Sequence, residues 1–183
     1  MSSIYTPLNP LHSEIRLLVI HPGKDADPIH CSLQHTSLEE PRDFEALSYV
    51  WGSEENLKVV SVENFTFEVT INLHAALRRL RKPTESRSIW ADAICINQQD
   101  IEEKNYQLPL VGRIYTEATN VVVWLGEKKV STVSELIPQL LIQCRLRECH
   151  VHVPPLSCAN RYKAFIPVEI STAQATIIVL TGQ

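Results

Sequence analysis

Asp92, Cys95, Asn97 and Gln98 place a carboxylate, a thiol and two amides in one short stretch, a set able to grip a polar ligand or to move a proton. Glu103 and Gln107 follow four residues apart, so on a helix they share a face. Asp92 and Glu103 are the candidate acids. The same residues also suit purely structural tasks, with Asp92 and Asn97 bonding turn amides and Asp100 with Glu103 capping a helix. No local histidine completes a nucleophilic pair with Cys95. Ser48 lacks the glycine two residues earlier that a Gly-x-Ser-x-Gly elbow needs, and five glycines in 183 residues leave no phosphate-cradling loop. Cys144, Cys149, His150 and His152 are zinc donors by type. Structural zinc sites space two pairs across a longer loop, so the alternative is two thiols and two imidazoles at a helix end, and we expect no metal and no cofactor.

The elements that must position these groups follow from periodicity and breakers. Residues 15–20 form a short apolar strand stopped by Pro22-Gly23, with 29–33 as its candidate partner. Residues 44–52 combine aromatic and β-branched types with a terminal glycine, a second strand. Residues 59–62 and 65–70 flank Glu63-Asn64 and predict a hairpin. Asn72 is a candidate N-cap, with Leu73, Ala76, Leu77 and Leu80 on one helical face. Arg78, Arg79, Arg81 and Lys82 then sit where cations suit the helix dipole, and Pro83 stops the helix; a phosphate site is the other reading of that cluster. A strand at 88–93 leads through the polar turn 95–99 to a helix at 101–107. Pro109 breaks it and opens a second helix, 109–118. Residues 121–126 are an uninterrupted apolar run, suited to a strand covered on both faces. Strand, helix, strand, broken helix, strand predicts a parallel α/β sheet after an N-terminal β-rich portion.

The composition is 44% hydrophobic and 21% charged, with a formal net charge of -4. A mildly acidic chain lacks the footprint of a nucleic-acid binder. No apolar stretch approaches the roughly 18–20 residues of a membrane span, and the start has no signal-peptide pattern. Five scattered cysteines fit reduced thiols, so we expect a cytoplasmic location. Residues 1–130 hold 31 charged side chains and all three tryptophans, whereas 131–183 hold only 7 charges. In that tail, 131–147 fit a helix interrupted by Pro138, Pro154-Pro155 is a break, and 175–180 are uncharged and β-prone, an aggregation hazard if unpaired.

Three blocks carry a resemblance: Ala46-Leu47-Ser48-Tyr49-Val50-Trp51-Gly52, Trp90-Ala91-Asp92-Ala93-Ile94-Cys95-Ile96-Asn97-Gln98 and Val122-Val123-Trp124-Leu125-Gly126. With the Tyr5-Thr6-Pro7-Leu8 opening, Ile15-Arg16-Leu17-Leu18, Asn72-Leu73, Glu103 with Gln107, and Ile114-Tyr115, they are similar to the heterokaryon-incompatibility (HET) domain of filamentous fungi over about residues 5–127. The chain departs from that pattern at Pro109, at Ala91, and at Leu110 or Val111, where a methionine is common.

The resemblance implies a fold similar to Toll/interleukin-receptor (TIR) domains, a flavodoxin-like, mostly parallel sheet flanked by helices. It also implies a role in non-self recognition, with cell death promoted through protein partners or self-association. The alternative it carries is an NAD-consuming hydrolase, in which NAD or a nucleotide binds and Asp92 or Glu103 acts as the acid. The expected functional surface is Ser48, Tyr49, Trp51, Gly52, Trp90, Asp92, Cys95, Asn97, Gln98, Gln107, Trp124 and Gly126. Trp51 and Trp124 end strands, where aromatic residues serve packing or an interface. The expected division is a HET domain at 1–130, incomplete at its C-terminal end, and an unmatched tail at 131–183 from a truncated or alternatively spliced end; an inactive fragment is the third reading.

Overall fold

The computed structural model describes residues 4–40, 42–127 and 176–180. The expected tail helix, the Pro154-Pro155 break and the Cys144–His152 cluster lie outside the described residues.

Among the described residues eight strands form one sheet in the order β5-β4-β2-β1-β6-β3-β7-β8. They are β1 (Glu14–Ile20), β2 (His30–Ser37), β3 (Glu45–Tyr49), β4 (Leu57–Val62), β5 (Phe65–Thr70), β6 (Arg87–Trp90), β7 (Asn120–Trp124) and β8 (Thr176–Leu180). The mostly parallel expectation is corrected: the sheet is mixed. β6, β3, β7 and β8 run parallel to one another, and β2 runs parallel to β4. β1 is antiparallel to both β2 and β6, and β4 is antiparallel to β5. The α/β class holds. The N-terminal portion is β-rich as expected, β1–β5 all preceding the first α-helix, and β1 joins it to the parallel half, with Leu18 opposite Leu33 on one side and Ile89 on the other.

Burial explains the strands. In β1 and β7 nearly every side chain is buried, on both faces, which is why their sequences show no alternation. β4 and β5 are joined by Glu63 and Asn64, both at positive φ (50° and 66°), the backbone a type I′ turn requires. The β-prone segment 176–180 is paired: it lies parallel along β7 with Trp124 beside Leu180.

Four helices complete the described part: α1 (Ile71–Leu80), α2 (Asp92–Cys95), α3 (Ile101–Gln107) and α4 (Val111–Glu117). Leu73, Ala76, Leu77 and Leu80 face the core as their spacing requires. The cap of α1 is Thr70 rather than Asn72; its Oγ1 accepts from Leu73 N at 3.3 Å. The strand expected at 88–93 ends at Trp90, because Asp92 opens α2 instead. Pro109 breaks the helical run as expected, in a 3-10 turn over Leu108–Leu110 that tolerates proline near its start.

Candidate functional site

The strands β3, β6 and β7 end side by side, so the three sequence blocks converge at one end of the parallel half. Outside the carboxyl ends of such strands ligands commonly bind. Asp92, one residue past Ala91, is half-buried. Its carboxylate accepts hydrogen bonds from Tyr49 OH (3.1 Å), Trp51 Nε1 (3.0 Å) and the Ala93 amide (2.8 Å). Burial pushes the Tyr49 phenol well above its ordinary range, and the adjacent Asp92 charge adds to it. Gln98 closes the loop below by donating to the carbonyls of Asp92 (2.8 Å) and Ile96 (3.3 Å).

A second node centres on Asn72, the second residue of α1. Its amide nitrogen donates to Val50 O, and its Oδ1 accepts from Trp124 Nε1 at 2.9 Å. Asn72 thereby ties the exit of β3 to the exit of β7. Gly52 and Gly126 lie against it at φ 78° and 92°, a backbone that L side chains adopt only with strain.

The third node is an ion pair. Arg16 (0% exposed) meets Glu103 (3%) through two contacts of 2.6 and 2.9 Å. Glu103 Oε1 also accepts from the Asn97 amide at 2.7 Å, so Glu103 does not reach back to Asp100 as a capping box would require. Asp100 alone caps α3, accepting from Glu103 N at 3.0 Å. Arg16 further donates to Thr6 O (2.5 Å) and Cys95 O (3.3 Å) and lies 4.9 Å from the centre of the Tyr5 ring. Gln107, fully buried, donates to Glu14 O at 2.7 Å. The spacing of Glu103 and Gln107 does set them on one face, and that face is turned inwards.

The remaining candidates are interior. Cys95 Sγ accepts from Ala91 N at 3.4 Å, and burial pushes the thiol up to about 12, the opposite of what a nucleophile needs. Trp90 is buried and meets Tyr115 edge-on at 5.9 Å, while Tyr115 OH donates to Leu47 O. Ser48 is buried too, and its hydroxyl has no hydrogen-bond partner among the described residues. Arg81, in the basic cluster, donates to the carbonyls of Lys24, Asp27 and Pro28, so its charge holds a loop rather than a phosphate. Among the described residues no group of three or more His, Cys, Asp or Glu could hold a metal. No described helix is long and apolar enough to cross a membrane. A concavity of about 750 Å3 lies elsewhere, lined by residues 36–40, 42–44 and 116–119.

Sequence reasoning missed Arg16 and the bridging task of Asn72. A lone arginine inside an apolar strand was the available signal for the first; for the second it was the Asn72-Leu73 pair in the family pattern, which marks the residue and not its partners.

Comparison with known proteins decides the family. The family model described as heterokaryon incompatibility protein (HET) matches residues 44–154, well over half of the chain. The chain belongs to the HET family. It is 38% identical over 128 residues to Heterokaryon incompatibility protein 6, OR allele, of Neurospora crassa. That match covers 62% of this chain but 19% of the relative, so the chain spans about a fifth of the relative's length. No solved structure matches. The HET match holds Tyr49, Trp51, Asn72, Asp92, Glu103 and Trp124, whereas Arg16, Tyr5 and the strands β1 and β2 precede it.

Proposed function

We propose that this HET domain is an interaction module of fungal non-self recognition, acting in the cytoplasm and promoting programmed cell death through a protein partner or self-association. Family membership and the incompatibility protein among its relatives support the role. The observation that favours interaction over catalysis is the use of the motif carboxylates. Three donors bond Asp92, and Glu103 is sealed against Arg16, so both do structural work, whereas a general acid must reach its substrate. At the same strand ends Val50 is exposed and Trp51 half-exposed, as suits a contact surface. The functional surface is accordingly Trp51, Gly52, Asn97 and Gly126, with Tyr49, Trp90, Asp92, Cys95, Gln107 and Trp124 beneath it. The parallel run β6-β3-β7-β8 with the motif at its carboxyl ends supports the TIR-like likeness for that half.

Overexpression in a fungal host tests the reading. The chain should kill, and Trp51→Ala and Asp92→Ala should each abolish death. Variants that fold, accumulate and still kill would remove the reading. Release of nicotinamide from NAD by the purified chain would replace it with the hydrolase. We further propose 1–130 as the part that carries the activity, with Thr176–Leu180 covering the β7 edge; comparing chains ending at 130 and 183 tests this.

A further inference from the structure

Among the described residues β5 is the last strand of the sheet, so one side of its backbone faces away from every described strand. The register says which groups these are. In a two-residue hairpin the closing pair, here Val62 and Phe65, exchanges two hydrogen bonds; alternation makes Val60 and Phe67 the next such pair. Ser61 N accordingly donates away from β5, to Ile29 O at 2.9 Å. The N–H and C=O of Thr66 and Glu68, the residues opposite Ser61 and Val59, therefore point off the sheet. No hydrogen bond reaches them from any described residue.

Exposed edges are ordinarily protected by charged side chains, lysine above all, by proline, by a bulge or by shortness. Phe65-Thr66-Phe67-Glu68-Val69-Thr70 has a single charge, Glu68, and none of the others. It is six residues long, continuous in register, and β-branched or aromatic except at Glu68. Phe65, at its start, is 41% exposed.

An antiparallel edge can pair with its own copy across a twofold axis. An axis at Glu68 sets that carboxylate against its twin, which is repulsive. An axis at Thr66 sets Glu68 against Asn64 in the turn. An axis at Phe67 sets Thr66 against Glu68 of the second copy and Glu68 against its Thr66, so all the outward groups of these residues bond and each carboxylate meets a hydroxyl. It also sets Phe67 against Phe67 and Phe65 against Val69. We propose that two copies of this chain associate through β5, antiparallel about Phe67. This deepens the self-association arm of the proposed function. Its test reads assembly in solution rather than cell death, so either can fail alone.

Sedimentation equilibrium of the full chain should show a monomer–dimer equilibrium. Thr66→Lys, which faces Glu68 of the second copy, should lower the dimer dissociation constant, and Thr66→Glu should raise it. Each shift should be about two- to thirtyfold, because two cross-strand pairs change per dimer. Thr66 is exposed, so both variants keep the fold, which circular dichroism checks. Amide exchange at Thr66 and Glu68 should slow as concentration rises, while Phe67, bonded to β4, stays protected throughout. The proposal is overturned if the chain remains monomeric up to about millimolar concentration, or if the two variants do not shift the constant in opposite directions. It is equally overturned if Thr66 and Glu68 are already protected in the monomer.

Discussion

Burying Arg16 and Glu103 together removes two charges from water, a cost recovered only when both are fully bonded. Glu103 accepts from Arg16 and from the Asn97 amide, and Arg16 also donates to two carbonyls and stacks on Tyr5. Removing one partner leaves the other charged and dry. Arg16→Met should therefore cost about 3–5 kcal/mol of stability, and the double variant Arg16→Met, Glu103→Leu should recover most of it. Urea denaturation of the four forms checks this; a double variant as unstable as the summed singles would dissolve the argument. At this scale the sequence was informative about type and spacing. It marked Asp92 and Glu103 and put Glu103 and Gln107 on one face. It could not supply their partners, because Arg16 is 87 residues from Glu103 and Tyr49 is 43 from Asp92.

Helix α1 shows how the same limit acts on an element. Thr70 and Asn72 are both good caps by type, and the apolar period 73, 76, 77, 80 fits a start at either. Thr70 takes the cap because Asn72 is required elsewhere, between Val50 and Trp124. The two residues should fail differently. Thr70→Ala should cost about 1 kcal/mol through the cap alone. Asn72→Ala leaves the Trp124 indole N–H and the Val50 carbonyl without this partner and should cost about 1–3 kcal/mol. It should also shift the Trp124 indole resonance, which Thr70→Ala leaves in place; identical spectra for the two variants would contradict the bridge. Pro109, by contrast, was legible: a residue that fixes φ and lacks an N–H acts locally, and the break falls where it stands.

For the whole molecule, the buried acids of the core make alkali the destabilising direction. Cys31 and Cys95 are raised from 9.0 to about 12, and Tyr49 lies well above its ordinary value, all chiefly by burial. Once the unfolded chain has lost these protons the folded chain still holds them, so their contribution is complete below about pH 9 and drains away as pH rises towards 12. Urea midpoints should hold to about pH 9 and fall beyond it, with Cys31 and Cys95 resisting alkylation until the chain unfolds; a midpoint unchanged at pH 11 would refute this. That β6 and β7 run parallel was legible, because helical segments separate them and force a crossover; that β3 lies between them while β5 goes to the far edge was not. The union with β1, β2, β4 and β5 was not, since β1 meets β6 only across some seventy residues of intervening chain. Residue types and local period determined the strands, the hairpin turn, the helix faces and the family, because those depend on steric and polar preferences within a few residues. The tertiary structure alone decided that the sheet is mixed, that Glu103 and Asp92 are turned on internal partners, and that no described strand pairs the outer edge of β5. Each of these is settled by which distant backbone or side chain arrives beside it, and no local preference encodes that.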